Sequence, residues 1–468
     1  MVVAFLVGAG VMYAGMQYSY NKSYAGILSS KSNSPTKEAD LQKIRQAYDL
    51  IDSRYVSNVD DTKLVEGAIQ GMISTLKDPY STYMDKATSQ QFVQSLDSSM
   101  DGIGAEINKV DNKLIIVSPI KDSPAEKAGI KPNDEIISVN GESVKDKTRE
   151  EAVLKIRGKK GTVVTLEVKR PNVDTPLTFK ITRDTIPLYT VSSSVKTENG
   201  KNIGYLQISS FSENTAKEFK DKLTELEKKN INGLVIDVRG NPGGYLNSVE
   251  DILKLFITDN KPMVQVEDRN GKIQKTYSPL KERKPYPIDV LVDNGSASAS
   301  EILAGAMKEA GGYPIVGVKS FGKGTVQQAV PLPDGSTIKL TMFKWLTPDG
   351  NWIHTKGIDP TVEVKQPDYY YATPIQFQNS LSYNMNNDQV KNAQLLLKDL
   401  GFEPGRTDGY FSKETETAVK AFQQSSNMDQ TGIIDQKTAD ALQNKIIDKI
   451  RSGENDIQLQ TALKLVAK

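Results

Sequence analysis

The sequence predicts a multidomain α/β protein, and three observations carry that reading. At 468 residues the chain is too long for one compact core, and about three domains is the expected number. From Thr185 to Gln366, short apolar runs such as Leu234 to Val238, Ile288 to Val292 and Ile315 to Val318 alternate with amphipathic stretches such as Asn214 to Lys228, the pattern of an α/β core. Outside that block the pattern changes. It is helical before about Ser95, rich in strand and tight-turn signals from there to about Arg183, and interrupted after Gln366 by a Tyr/Asn/Gln-rich connector.

Composition narrows the chemistry. Hydrophobic residues make up 38%, enough to bury a core, and 59 basic against 58 acidic residues leave a net charge of +1, which points to no nucleic-acid partner. With no cysteine, a thiol nucleophile and thiolate metal sites are excluded. With a single histidine, His354, histidine-based zinc sites are excluded too, and a Ser-His-Asp triad could draw only on that residue. No metal or other cofactor is called for.

Taken in order, residues 1–20 open with an uncharged, mostly apolar run, Met1 to Met16. It falls short of the roughly 20 residues that span a bilayer and lacks a basic flank. No amphipathic period is visible, so the segment is expected to be an export signal or membrane anchor, and the absence of an A-x-A site favours an anchor. The bulk of the protein would then lie outside the cytoplasm. Residues 23–37, rich in Ser, Lys and Asn, read as a linker. Over 38–95, Leu41, Ile44, Ala47, Tyr48 and Ile51 form one helical stripe and Leu64, Ala68, Ile69, Met72 and Leu76 another, both expected to pack on something.

Residues 96–184 carry Gly102-Ile103-Gly104-Ala105, a strand at Leu114 to Val117, a short capped helix opening at Ser123-Pro124, and Asp134 to Val139 running into an Asn140-Gly141 hairpin turn. This combination resembles a PDZ domain, in which amides of a glycine loop capture a peptide's terminal carboxylate while the peptide adds a strand to the sheet edge. Gly102, Ile103, Gly104 and Ala105 take the place of that loop. Arg157, in the basic turn Arg157-Gly158-Lys159-Lys160-Gly161, is a candidate for coupling peptide occupancy to the next domain, with a solvated basic turn as the plainer reading.

The chemistry concentrates in Ile288 to Gln328. A buried strand leads through Asp293-Asn294-Gly295 into a helix with Ser296, Ser298 and Ser300 at its start, which Gly311-Gly312 ends. A second short strand then leads into Phe321-Gly322-Lys323-Gly324. A serine at a helix start is ordinarily a cap. In a chain without cysteine and with one histidine, it could also be a nucleophile whose base is a lysine. Lys323 would have to be neutral for that, and a lysine of ordinary pKa near ~10.4 reaches neutrality by desolvation worth up to about 3–5 units. Phe321 and Val326 are the apolar neighbours available to exclude water.

These segments resemble the catalytic core of the C-terminal processing peptidases, or tail-specific proteases, which are Ser-Lys-Gln enzymes. Gly295-Ser296-Ala297-Ser298-Ala299-Ser300-Glu301 is similar to their nucleophile motif, Phe321 to Gln328 to their lysine motif, and Asp237-Val238-Arg239-Gly240-Asn241-Pro242-Gly243-Gly244 to their DxRxNxGG loop. The resemblance implies Ser298 as nucleophile, Lys323 as general base and Gln327 as the residue orienting it. It also implies an oxyanion hole from backbone N–H groups near Gly243 and Ala299, a ClpP/crotonase-like core over 185–366, dimerisation through the N-terminal helices, and a structural role for His354.

Residues 385–445 hold an internal repeat: Asp408-Gly409 leading to Ser412 and a helix, then Thr431-Gly432 leading to Asp435 and a helix. With the helix at Ala393 to Leu400 before them, they resemble a three-helix peptidoglycan-binding domain. The tail, 446–468, is partly helical with no legible partner. The expected protein is therefore an exported or membrane-anchored serine endopeptidase and homodimer. It would take protein or peptide substrates by their C-termini, with peptidoglycan as a further candidate partner. The alternative is a non-catalytic PDZ and wall-binding scaffold; a glycan hydrolase lacks a carboxylate pair in the core.

Overall fold

The computed structural model describes residues 35–468 apart from 97, 111–112, 172, 372–374, 376–378 and 454. The expected signal or anchor segment therefore lies outside the described residues. The chain divides into two compact units, one comprising Met1–Asp85 with Pro331–Lys339 and the other Lys86–Val330 with Leu340–Lys468.

In the first unit, α1 (Pro35–Arg54) and α2 (Asp61–Ser74) precede a short strand, β1 (Thr82–Met84). Asp60 stops the chain from fraying ahead of α2 by accepting the Lys63 N–H at 3.2 Å. β1 pairs antiparallel with residues 337–339, Tyr83 lying opposite Ile338. Leu41, Ile44 and Ile51 of α1 and Met72 of α2, with Leu76 just beyond it, remain exposed. The expected packing of the two stripes is thus not made among the described residues.

The second unit opens with α3 (Lys86–Leu96) and the region read as 96–184. Its elements are β2 (Ser99–Gly102), β3 (Ala105–Val110), β4 (Lys113–Pro119), α4 (Pro124–Lys127), β5 (Glu135–Val139), β6 (Glu142–Ser143), α5 (Arg149–Ile156), β7 (Val163–Lys169), β8 (Leu177–Thr182) and β9 (Asp184–Pro187). The sheet order is β3-β4-β5-β7-β8, with β6 on β5, while β2 and β9 form a separate antiparallel pair. β3 is an edge strand, and α5, held at its start by a reciprocal Thr148–Glu151 capping box, shares a buried core with it through Ile107, Ala152 and Ile156. An open strand edge beside a helix is the geometry that accepts an added peptide strand.

The core then follows as β10 (Val191–Glu198), β11 (Lys201–Ile208), α6 (Thr215–Glu227), β12 (Gly233–Asp237), α7 (Leu246–Leu253), β13 (Pro262–Glu267), β14 (Ile273–Tyr277), β15 (Ile288–Val292), α8 (Ala299–Glu309), β16 (Ile315–Gly317), β17 (Thr325–Pro331), β18 (Thr337–Leu346) and β19 (Val362–Glu363). The main sheet runs β10-β11-β12-β15-β16-β19, parallel from β11 onward. Its strands β12 and β15 are buried throughout, which is why they are mostly apolar, with Asp237 and Asp289 their only charged residues. Phe219, Leu223, Val249, Ile252, Leu303 and Met307 cover one face.

A three-helix unit follows, α9 (Asp388–Asp399), α10 (Lys413–Ser425) and α11 (Gln436–Ser452), around Leu397, Phe411, Val419, Phe422, Ile434 and Leu442. The sequence repeat has a structural counterpart. Buried Gln394 accepts the Gly409 N–H and donates to Thr415, and buried Gln423 accepts the Gly432 N–H and donates to Thr438. Ser412 and Asp435 cap the two helices at identical dihedrals, φ −85° and ψ 179°. The tail, which had no legible partner, forms α12 (Ile457–Val466) and returns to the core. Ala462, Leu463 and Val466 pack on Ile203, Val235, Leu291 and Val316, covering the second face of the sheet.

Candidate active site

Parallel strands deliver their following loops to one end of a sheet, and three such loops meet here. β12 delivers residues 238–244, β15 delivers 293–298 and β16 delivers 318–324. The first two are stitched directly. Asn241 O accepts the Ala297 N–H at 3.0 Å and the Ser300 hydroxyl at 2.9 Å, Ser296 Oγ donates to Val238 O at 2.8 Å, and Asp293 Oδ1 accepts the Gly240 N–H at 2.8 Å. The third is tied on by Phe321 N–H to Ser296 O at 3.0 Å.

Ser298 stands at the N-terminus of α8 with φ 56° and ψ −112°. An ordinary cap has extended dihedrals, and a positive φ in a residue other than glycine costs roughly 1–3 kcal/mol unless its surroundings enforce it. The capping reading therefore loses its usual geometry at this serine. Gly243 lies against it: a Cβ there would fall 2.8 Å from Ser298 Cβ, 2.8 Å from Ala297 O and 3.0 Å from Ala299 N. With φ +107°, this is a position that only glycine fills without strain. Ala299 N–H belongs to the first turn of α8, where helix amides lack intrahelical acceptors, and it makes no hydrogen bond among the described residues.

One expectation needs correction. The Gly243 N–H is not available to an oxyanion, because it donates to Asn241 Oδ1 at 2.8 Å, and Asn241 is itself fixed by donating to Ile208 O at 2.9 Å. The next amide, Gly244 N–H, makes no hydrogen bond among the described residues; Gly244 bridges Phe211 through its neighbours, Phe211 N–H to Gly243 O and Tyr245 N–H to Phe211 O. Gly243 serves close approach, and Gly244 N–H is the amide beside it that this loop leaves without a hydrogen bond among the described residues.

Lys323 precedes β17 and is half-buried. Its carbonyl accepts the Trp345 indole N–H at 2.8 Å, and the next carbonyl, Gly324 O, accepts that of Trp352, also at 2.8 Å. Both tryptophans of the chain thus clamp the lysine loop. Of the two apolar neighbours expected to keep water from Lys323, Phe321 is 55% exposed and Val326, half-buried, packs against the core. Gln327 donates its amide to Thr325 Oγ1 at 3.0 Å and Thr341 Oγ1 at 2.9 Å, which leaves its carbonyl oxygen as the free end for a lysine to address. His354 stacks on Trp352, and its Nδ1 accepts the Gly324 N–H at 3.4 Å, so it supports the same loop.

Sequence reasoning missed Glu301, the residue that ties Ser298 to Lys323. Fully buried, it accepts the Ser298 N–H (2.9 Å) and Lys323 N–H (2.8 Å) on Oε2, and the Gly322 N–H (2.6 Å) and Ser320 hydroxyl (2.6 Å) on Oε1. Residues 25 positions apart thereby meet on one oxygen. Its place three residues after the serine was the available signal, that of a capping-box glutamate.

In the region expected to capture a peptide terminus, Gly104 O accepts the Ile120 N–H and the Ser123 hydroxyl, each at 2.8 Å, and Ile103 O accepts the Ala125 N–H at 2.8 Å, so the Gly102–Ala105 turn is held by its carbonyls. Arg157 is exposed and reaches Met100 Sδ at 3.4 Å. With Asp101, Leu154, Lys159 and Leu188 it lines a cavity of about 510 Å³ where this region joins the core.

Four family models match: peptidase family S41 over residues 202–364, a PDZ domain over 115–170, the N-terminal domain of the activating protease CtpB over 5–88, and a peptidoglycan-binding domain over 386–442. The chain is 57% identical over 98% of its length to the carboxy-terminal processing protease CtpB of Bacillus subtilis, covering 95% of that protein. It is 44% identical to that organism's CtpA, over 95% of this chain and 94% of the other. A CtpA-like serine protease of Staphylococcus epidermidis is 38% identical, over 90% and 86%.

Proposed function

Because the chain belongs to the S41 carboxy-terminal processing peptidases, we propose that it is a serine endopeptidase working through Ser298, Lys323 and Gln327. Ser298 Oγ attacks the scissile carbonyl; Lys323 takes the hydroxyl proton and returns it to the leaving amine; Gln327, its amide already anchored, holds the lysine through its carbonyl. The developing oxyanion falls at the positive end of α8, with Ala299 N–H and Gly244 N–H as donors. The observation that carries this reading is the positive φ of Ser298 with Gly243 pressed against it, an arrangement that a mere cap does not need.

The PDZ region selects substrates by their C-termini, through strand addition at β3 and carboxylate capture at Gly102–Ala105, and Arg157 relays occupancy across the cavity it lines. The three-helix unit holds the enzyme to cell-wall peptidoglycan. Residues 1–20 direct export and anchor the chain in the membrane, and the exposed stripes of α1 and α2 bury each other in a homodimer. The open edge of β3 supports strand addition, the cavity at Arg157 supports the relay, and the exposed stripes support the homodimer.

The deciding experiment is cleavage of an unfolded protein such as casein by wild type and Ser298→Ala, matched for folding by circular dichroism. Cleavage by the wild type alone is expected. Equal cleavage by both would remove Ser298 from the mechanism. If neither cleaves, adding a C-terminal peptide separates a gated core from an inert one, and an inert core returns the scaffold reading.

A further inference from the structure

The tail helix, α12, does more than cover a sheet. Arg239 lies in the loop that presents the oxyanion donor, and its side chain is largely buried between two carboxylates. Its Nε contacts Asp237 Oδ1 at 3.0 Å, and Nη2 contacts Asp237 Oδ2 at 2.6 Å; Nη1 and Nη2 grip Asp456 Oδ1 and Oδ2, both at 2.8 Å, and Nη1 also reaches Gln458 Oε1 at 3.1 Å. Asp456 is the N-cap of α12, accepting the Leu459 N–H at 2.9 Å. The same carboxylate accepts from Gln366 Nε2 at 2.6 Å, and Gln366 Oε1 accepts the Ile457 N–H at 3.0 Å. The chain entering the three-helix unit is thus tied to the chain leaving it, and both to Arg239. Two residues beyond Arg239 comes Asn241, whose backbone carbonyl holds Ala297 and Ser300 and whose side chain fixes Gly243 beside Ser298.

We propose that α12 is part of the catalytic apparatus, with Asp456 a positioning residue that acts through Arg239 to hold the 238–244 loop where its amide meets the oxyanion. A bidentate guanidinium–carboxylate pair fixes direction as well as distance, so it can set a loop's register in a way that apolar packing cannot. The three-helix unit is consequently an insertion between the core and the core's own last helix.

This inference rests on the Ser298 reading, and one experiment tells their failures apart. Steady-state casein cleavage and labelling by a serine-directed phosphonate are measured on full-length wild type, Ser298→Ala and Asp456→Asn, each checked by thermal unfolding. Asp456→Asn is expected to lower kcat about 10-fold or more, to slow labelling in proportion, and to leave KM within about twofold and the alkaline and acidic limbs of the pH profile in place, because the oxyanion and not the base is disturbed. A folded Asp456→Asn enzyme with wild-type kcat overturns the proposal, as does a fall in kcat accompanied by a displaced pH limb. If Asp456→Asn does not fold, Gln458→Ala, which removes one acceptor without unpairing a charge, is measured instead. A kcat reduced about threefold at constant KM supports the proposal and an unchanged kcat overturns it. Activity in Ser298→Ala would sink the underlying reading, whereas a dead Ser298→Ala beside a fully active Asp456→Asn sinks only this inference.

Discussion

Two buried carboxylates on opposite faces of the core sheet, Glu301 and Asp289, are treated in opposite ways. On the face covered by α8, Glu301 is saturated by three backbone amides and a hydroxyl. On the face covered by α12, Asp237 is paired with Tyr205 and Arg239, whereas Asp289 of β15 is 2% exposed and its Oδ2 has no partner among the described residues. Strand alternation sends it to the same side as Leu291, among the apolar side chains that receive α12. Burial pushes its carboxyl up to about 7. A buried acid that gathers donors fixes geometry, while one that gathers none costs stability whenever it ionises.

Removing the saturated carboxylate should have the largest effect. Glu301→Ala orphans four donors that cost about 1–3 kcal/mol each if water does not reach them, and it cuts the tie between Ser298 and Lys323. The expected outcome is loss of activity by about 100-fold or more, with a lowered thermal midpoint, read by casein cleavage and calorimetry. If Glu301→Ala keeps wild-type turnover, the saturated site is not what aligns nucleophile and base.

Gly243→Ala should come next. A Cβ there meets Ala297 O and Ser298 Cβ at 2.8 Å, with backbone on one side and the strained serine on the other. Turnover should fall by about 10-fold or more while the rest of the fold persists, which near-ultraviolet dichroism can check. Full activity would mean that loop and serine can part without consequence.

Asp289→Asn tests the other face, and the sign follows from linkage. The unfolded carboxyl titrates near its ordinary 3.8 and the folded one near 7, so between those values the folded state holds the extra proton and stability falls as pH rises. Above about pH 7 the full cost is present, at most roughly 4 kcal/mol, and below about pH 4 none of it is. Asp289→Asn should therefore raise the thermal midpoint at pH 8 and leave it nearly unchanged at pH 4. An equal shift at both values would show that ionisation is not the source. Activity at fixed temperature should not change.

The smallest effect is expected at Phe321. More than half exposed beside Lys323, it should tolerate Phe321→Ser within about 0.5 kcal/mol of stability. A displaced acidic limb in the activity profile would show instead that it shields the lysine when substrate is bound.

Much of this molecule is local in origin and was legible as such. Buried parallel strands carry apolar runs because both faces are covered, helix starts carry Ser, Thr, Asp or Asn because orphan amides need acceptors, and the Ser412 and Asp435 repeat announced two equivalent helix entries. Ser298, Lys323 and Gln327 could be proposed for catalysis because the glycine-rich motifs that hold them resemble those of the C-terminal processing peptidases. What the sequence by itself determined was therefore which residues have the right chemistry and which segment carries each. Tertiary structure alone decided their relations: that Glu301 joins Ser298 to Lys323, that Asn241 claims the Gly243 amide, that Asp289 Oδ2 is left without a partner among the described residues, and that α12 returns past an intervening three-helix unit to grip Arg239. The physical reason is that hydrogen bonding and burial depend on distance in space. Periodicity and capping report only on neighbours along the chain, and contacts between residues 25 or 217 positions apart leave no trace in either.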